Sequence, residues 1–333
     1  MRFSVIVPCY NSKNTISNAL NSIKCQTYVD FEVIIVDDGS TDETADVCKG
    51  FVRKDDRFKY VYQENKGVSA ARNLGIEYAK GDFLVFLDSD DIYSHEYLST
   101  FDSLIKSYHD FNNFWAEYLE VKSTDHGINC ESKYESSYFS TLDRSDISLL
   151  PALWNKAFRT SIVREHNIKM RENLSLGEDF IFNYEYLDAA GTRIAHSDAQ
   201  IYYYTKSNND SLDSKYRNNL LEIFQTIESV MYKYFIKWKF DEKKLQQYYE
   251  YVFYNRIKVL YNTYRPECTL TKREKIKYNN SILHSKDFNN AFEKINCYIN
   301  PFYKIAYKIG SWRLISLLDK LVIIKKRIKR QTL

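Results

Sequence analysis

The chain has 333 residues, 44% hydrophobic and 27% charged, a globular balance at about twice the length of one ordinary domain. Nine Gly and four Pro are too few for a collagen-like, linker-rich or proline-rich disordered chain, so regular elements must dominate. The formal charge of +3 conceals a division: residues 301–333 hold nine Lys and Arg against Asp319 alone, a net of +8 that leaves −5 on residues 1–300 and argues against a nucleic-acid binder.

In chain order, Phe3–Val7, Glu32–Val36, Phe58–Tyr62 and Phe83–Leu87 are short β-branched or aromatic runs that predict buried strands. Helical patterns lie between them, at Thr15–Ile23, Thr41–Val52 and Ser69–Ala79. The second opens on Ser40 with Glu43 three residues later, the pattern of a capping box. This alternation predicts a doubly wound α/β sheet, whose ligands bind beyond the carboxyl ends of the strands. Weaker signals follow: strands at Asn113–Val121 and Gln200–Tyr204, and helices near Ser161 and over Glu178–Leu187. From Lys215 onward apolar residues recur at helical spacing. The expected division is a catalytic domain over 1–212, a helical region over 213–300 and a basic amphipathic tail over 301–333. In that tail Trp312, Leu314, Ile315, Leu317, Leu318, Leu321, Val322, Ile324 and Ile328 predict the apolar face of an interfacial helix, against the alternative of a helix packed on protein.

Other segments narrow the setting. Phe3–Val7 is too short for a signal-peptide core, and Leu314–Ile324 is too short to span a bilayer and is interrupted by Ser316, Asp319 and Lys320. The six cysteines form no C-x-x-C pair and the six histidines no H-x-x-x-H, so no structural zinc site is expected and free thiols in a reducing cytoplasm are.

The residues after the strands are acidic. Asp37 and Asp38, then Gly39-Ser40-Thr41-Asp42, stand where the second strand ends; carboxylates there could accept from a nucleobase or ribose, or simply favour a helix start. Asp88, Ser89, Asp90 and Asp91 follow the fourth strand. In extended backbone Asp88 and Asp90 face the same way, and their repulsion would be offset by a hard cation, Mg²⁺ or Mn²⁺, bridging a diphosphate. Lys66 and Arg72 fall at a helix opening suited to nucleotide contacts or to surface pairing. Glu178 and Asp179 begin a helix, as dipole compensation or as a general base.

These segments together (Ser4 to Asn11, the Val36–Asp42 run VDDGSTD, the Asn65–Asn73 run NKGVSAARN, the Phe86–Asp91 run FLDSDD, and Gly177-Glu178-Asp179) resemble the inverting family 2 glycosyltransferases of GT-A fold over roughly residues 1–210. Trp154-Asn155-Lys156, Tyr202–Tyr204 and Ser211 resemble polysaccharide-assembling bacterial members. The resemblance implies a nucleotide-sugar site bordered by Pro8, Tyr10, Asp37, Asp38, Lys66, Arg72, Asp88 and Ser89. It also implies a metal on Asp90 with Asp88, catalysis by Asp179 with Glu178, and an acceptor side near Trp154 and Lys156. It implies transfer from a UDP-sugar to a glycan or lipid-linked hydroxyl at the inner face of the cell membrane, whose anionic surface the tail would meet. Neither Q-x-x-R-W nor membrane helices are found, which favours addition of one sugar over polymerisation. A sugar-1-phosphate nucleotidyltransferase would need an early Gly-rich loop, yet no glycine precedes Gly39; a catalytically degenerate membrane-bound scaffold would be marked by loss of these carboxylates, and all are present.

Overall fold

The structure is a computed structural model and describes residues 1–122, 139–143, 152–206, 216–297 and 299–320. It divides into two compact units, Met1–Asp213 and Ser214–Leu333. The sequence boundary near 212, and Ser211, lie outside the described residues.

The first unit runs β1 (Phe3–Cys9), α1 (Ile16–Lys24), β2 (Phe31–Asp38), α2 (Thr44–Val52), β3 (Phe58–Gln63), α3 (Val68–Tyr78), β4 (Phe83–Phe86), β5 (Ile92–Tyr93), α4 (Tyr97–Ser107), β6 (Asn113–Lys122), β7 (Phe139–Asp143), β8 (Lys156–Arg159), α5 (Thr160–Glu165), α6 (Glu178–Ala190) and β9 (Arg193–Lys206). The sheet order is β3-β2-β1-β4-β8-β6-β9-β5, with β7 also on β9. Strands β3, β2, β1 and β4 are parallel, as the crossover pattern requires, and β8 enters antiparallel to both β4 and β6.

Alternate residues of β1 feed two cores, the consequence of the two-residue period of a strand. Phe3, Val5 and Val7 pack with Ile16, Leu20 and Ile23 of α1 and Phe101 of α4. Ile6 faces the other way, with Ala71 of α3 and Phe158, Val163, Phe182 and Tyr186 of β8, α5 and α6. A Cβ on Gly75 would come within 2.5 Å of Ile6 Cγ2, so glycine sets how closely α3 lies on β1. At the edge away from the acidic loops, Glu32 accepts from Ser4 Oγ at 2.7 Å, Lys59 Nζ at 2.5 Å and the Lys80 N–H at 2.6 Å, which satisfies a carboxylate buried within the strands.

The expected capping box does not form. Helix α2 starts later, at Thr44, because the Ser40 hydroxyl is drawn to the Asn11 N–H at 3.0 Å and Asp42 Oδ1 takes the Thr44 N–H at 3.0 Å. Strand β9 is also longer than the Gln200–Tyr204 run expected, since its partners β6 and β7 extend the pairing to Arg193.

The second unit is helical among its described residues: α7 (Leu220–Lys237), α8 (Glu242–Asn262), α9 (Lys272–Leu283), α10 (Lys286–Lys294), α11 (Pro301–Ile309) and a further helical stretch over 312–320. Glu228 of α7 and Arg256 of α8 form a buried bidentate pair at 2.8 and 3.0 Å, and Phe253, Phe288, Phe292 and Tyr307 close the interior. None of the described helices is long and apolar enough to cross a membrane.

The tail departs from the single lipid-facing helix expected. Trp312 is 2% exposed and Ile315 fully buried, with the indole against Tyr261 and Tyr264 and its Nε1–H donating to the Tyr264 hydroxyl. Apolar spacing alone does not distinguish protein from lipid as the neighbour, and here residues 312–320 put their bulkiest side chain inward. The apolar and basic residues after Lys320 lie outside the described residues. Trp312→Ala should therefore lower the unfolding free energy of the second unit by about 3–5 kcal/mol, read as an earlier denaturant midpoint. A lipid-facing Trp312 would leave that midpoint unchanged in solution.

Candidate active site

The loops after β1, β2, β3 and β4 converge at the carboxyl edge of the parallel strands. Ser12 Oγ and Ser89 Oγ are 2.8 Å apart, joining the first loop to the fourth, while Asn11 Oδ1 accepts the Thr41 N–H at 2.8 Å and joins it to the second. Gly39 has φ +76°, and a Cβ there would stand 2.7 Å from the Asn65 backbone nitrogen, so the second and third loops touch only because a side chain is missing.

The paired acids of β2 are nearly covered, and their oxygens hold this rim. Asp37 accepts from the Ser40 N–H at 2.8 Å and the Tyr60 hydroxyl at 2.6 Å; Asp38 accepts from Gln63 Nε2 at 2.6 Å and from the Lys66 and Gly67 N–H groups, both at 2.8 Å. Pro8 is buried near the end of β1, whereas Tyr10 just beyond it and the Lys66 side chain are exposed on the rim.

Arg72 of α3 is the centre of the constellation. It is 5% exposed; its Nη2 donates to Asp88 Oδ1 at 2.8 Å, and its Nη1 donates to Asp179 Oδ1 at 2.8 Å and Glu178 Oε1 at 3.3 Å. Burial opposes the guanidinium charge, but Asp179, Asp88 and Glu178 outweigh it and hold Arg72 well above its ordinary value. Its Nε is buried without a hydrogen bond among the described residues. Helix α6 delivers the two acids because Gly177 adopts φ 83° and turns the chain into the first helical turn, where negative charge is favoured. Burial pushes Asp179 up to about 7, against the pull of Arg72 and with Glu178 and Asp88 adding to the rise; Lys156 pulls the same way as Arg72.

The acids after β4 separate by role. Asp88 is half-buried on Arg72 and Asp90 is exposed at the rim, while Asp91 is turned inward, accepting from the Tyr202 hydroxyl at 2.6 Å and the Thr205 N–H at 2.7 Å. Burial, then Asp88 and Asp90, push Asp91 up to about 8. It ties the acidic loop to β9, a role its place in the run did not reveal. Trp154 lies flat on Tyr202, ring centroids 4.3 Å apart, with Tyr118 edge-on at 4.7 Å. Lys156 is buried; its Nζ donates to Asn155 Oδ1 at 2.8 Å and to the Ala152 carbonyl, and burial lowers its value far below that of an ordinary lysine.

No group of three or more His, Cys, Asp or Glu that would cage a metal occurs among the described residues. Asp88, held by Arg72, and the exposed Asp90 are the carboxylates that could hold a hard cation of the kind bound by one or two carboxylates and phosphate oxygens.

Residues 4–113 match the family model described as Glycosyl transferase family 2. Over that stretch the chain is similar to the family 2 glycosyltransferases. It is 32% identical over 195 residues to glycosyltransferase GlyA of Streptococcus pneumoniae, covering 55% of this chain and 27% of GlyA. It is 29% identical over 229 residues to the putative glycosyltransferase EpsH of Bacillus subtilis, covering 66% of this chain and 64% of EpsH. The chain thus spans less than two thirds of either relative. The crystal structure of S. aureus TarS 1-349 in complex with UDP-GlcNAc superposes with a TM-score of 0.69 at 24% identity, over 93% of this chain and 88% of that one. The likeness shows the fold: the first unit has the GT-A architecture expected, and helices follow it in the chain.

Removing the central cation tests this geometry. Arg72→Met would leave three carboxylates facing one another, and breaking a buried pair from one side costs about 3–5 kcal/mol. Asp179 is already raised, so its neutral form is the one folding favours. Losing Arg72 raises it further, and the deficit should shrink as pH falls from 8 toward 5. Denaturant midpoints across that range check this; a deficit independent of pH would show that the carboxylates do not depend on Arg72.

Proposed function

We propose that this chain is a metal-dependent inverting glycosyltransferase, moving one sugar from a UDP-sugar to a hydroxyl of a glycan or lipid-linked acceptor in bacterial surface-polysaccharide assembly. The observation that carries the reading is Arg72, which brings Asp88, at the edge where a diphosphate would lie, together with Asp179, an acid whose value near neutrality suits a general base. The fold of a protein solved with UDP-GlcNAc supports a UDP-sugar donor, with UDP-GlcNAc the first to test.

In this reading Pro8, Tyr10, Asp37 and Asp38 shape the nucleoside pocket, directly or through the loops that the two acids tether. Lys66 and Ser89 border the phosphates, and Arg72 holds Asp88 beside them. Asp88 and Asp90 would hold Mg²⁺ or Mn²⁺, which when bound offsets charge on the departing diphosphate. Asp179 takes the proton of the acceptor hydroxyl. That oxygen bonds to the anomeric carbon from the face opposite the diphosphate, the bond to UDP breaks with its electrons on the phosphate oxygen, and configuration inverts. Glu178 shares Arg72 with Asp179 and fixes the guanidinium, while Trp154 offers an aromatic surface on the acceptor side. The domain is assigned to 1–212, the helical region to 213–300 and the basic end to 301–333. The setting we infer is the inner face of the cell membrane, with its anionic surface as partner.

Two variants separate the roles, with UDP release and transfer as readouts. Asp90→Asn should abolish metal-dependent UDP binding, because an amide is a poor ligand for a hard cation; unchanged affinity in calorimetry with Mn²⁺ would move the metal elsewhere. Asp179→Asn should keep UDP and metal binding while lowering transfer by about two to four orders of magnitude. A base must be deprotonated to act, so wild-type turnover should rise with pH and level off above about 7, the value to which Asp179 is pushed, and the Asn variant should lack that rise. A loss under about tenfold in transfer would make Asp179 a helix-start acid only.

A further inference from the structure

Helix α11 carries apolar residues on two sides. At 3.6 residues per turn, Tyr303, Ala306 and Tyr307 share the side that packs on the second unit, where Tyr303 bonds Asp319 and Tyr307 meets Phe253 and Phe288. Phe302, Ile305 and Ile309 fall together on another side and are 67%, 54% and 59% exposed. Single exposed apolar side chains are ordinary, but three on successive turns of one stripe form a surface. Lys304 and Lys308, both exposed, border it.

The stretch over 312–320 repeats the arrangement. Trp312 and Ile315 point inward, Leu317 is 54% exposed, and Arg313 and Lys320 are exposed. Asp319, the only acid of residues 301–333, accepts from the Tyr261 hydroxyl at 2.7 Å and the Tyr303 hydroxyl at 2.5 Å. The two helices therefore expose four cations while their sole carboxylate is engaged by tyrosines. The sequence beyond adds Lys325, Lys326, Arg327, Lys329 and Arg330, with no acid.

We propose that the Phe302–Ile305–Ile309 stripe of α11, bordered by Lys304 and Lys308, is the surface by which this chain sits on an anionic lipid membrane. This deepens the membrane setting inferred above and moves the contact from the Trp312 face to α11. An apolar strip a few ångströms deep flanked by lysines matches acyl chains beneath anionic headgroups. A second copy of the chain fits worse, because a two-fold contact through the same stripe would set Lys304 and Lys308 against their own counterparts.

Flotation of the full chain with phosphatidylcholine vesicles, with and without phosphatidylglycerol, tests this. We expect binding that requires phosphatidylglycerol and weakens with salt. Ile305→Ser/Ile309→Ser and Lys304→Glu/Lys308→Glu should each lower vesicle affinity on the order of tenfold or more, with unfolding midpoint and UDP release in solution unchanged. Wild-type affinity in either double variant, equal binding to neutral vesicles, or a wild-type dimer that the isoleucine variant converts to monomer would overturn the proposal. A chain that floats but releases no UDP from any UDP-sugar would refute the transferase reading and leave this one standing; release without flotation would do the reverse.

Discussion

One guanidinium facing three carboxylates is the contact on which the rest of this structure depends. Asp88, Glu178 and Asp179 come from the end of β4 and the start of α6, segments far apart in the chain, and without a cation between them they would repel in a partly dry site. Arg72 meets them because α3 lies tightly on β1 through Gly75, and because β8 runs back beside β4 and brings α5 and α6 to the same side of the sheet as α3. The core and the site are thus one arrangement: shifting α3 by the width of a methyl group would move the cation relative to both sets of acids.

The parallel half of the sheet was legible in the sequence because β1, β2 and β4 are buried throughout and read as continuous apolar runs between helical spacings; the edge strand β3, half-exposed, was legible from its aromatics. β8 was not, since Lys156–Arg159 is four residues long and includes two basic ones; only its antiparallel pairing with β4 and β6 makes it a strand. The capping motif at Ser40 failed for a related reason: a local pattern was overridden by Asn11, almost thirty residues earlier. The described part of the tail, to residue 320, was legible as amphipathic helix but not as to which neighbour its faces would meet, because spacing encodes direction around a helix and carries no information about what lies there.

Acidic runs show the same division within the site. The motifs mark Asp88, Asp90, Asp179 and Glu178 as candidates for chemistry, but the work of Asp91 and Asp38 was hidden. Asp91 differs from Asp90 only in facing inward, onto Tyr202 and Thr205, more than a hundred residues later. Asp38 spends both oxygens on Gln63 and on the N–H groups of Lys66 and Gly67. Carboxylates of one acidic run thus serve as clasps or face the Arg72 guanidinium, and the sequence does not separate the two.

The clasping acids bear on how a donor would be received. With Asp38 holding 66 and 67, Asp37 holding 40, Asn11 holding 41 and Ser12 meeting Ser89, the first four loops are joined before any ligand arrives. A loop ordered only by its ligand subtracts its lost freedom from the affinity, whereas one already ordered does not. If the proposed function holds, this rim would meet a nucleotide as a preorganised surface. Weakening a clasp such as that of Asn11 on Thr41 should then show itself chiefly as faster donor escape, with the groups proposed to touch the donor still in place.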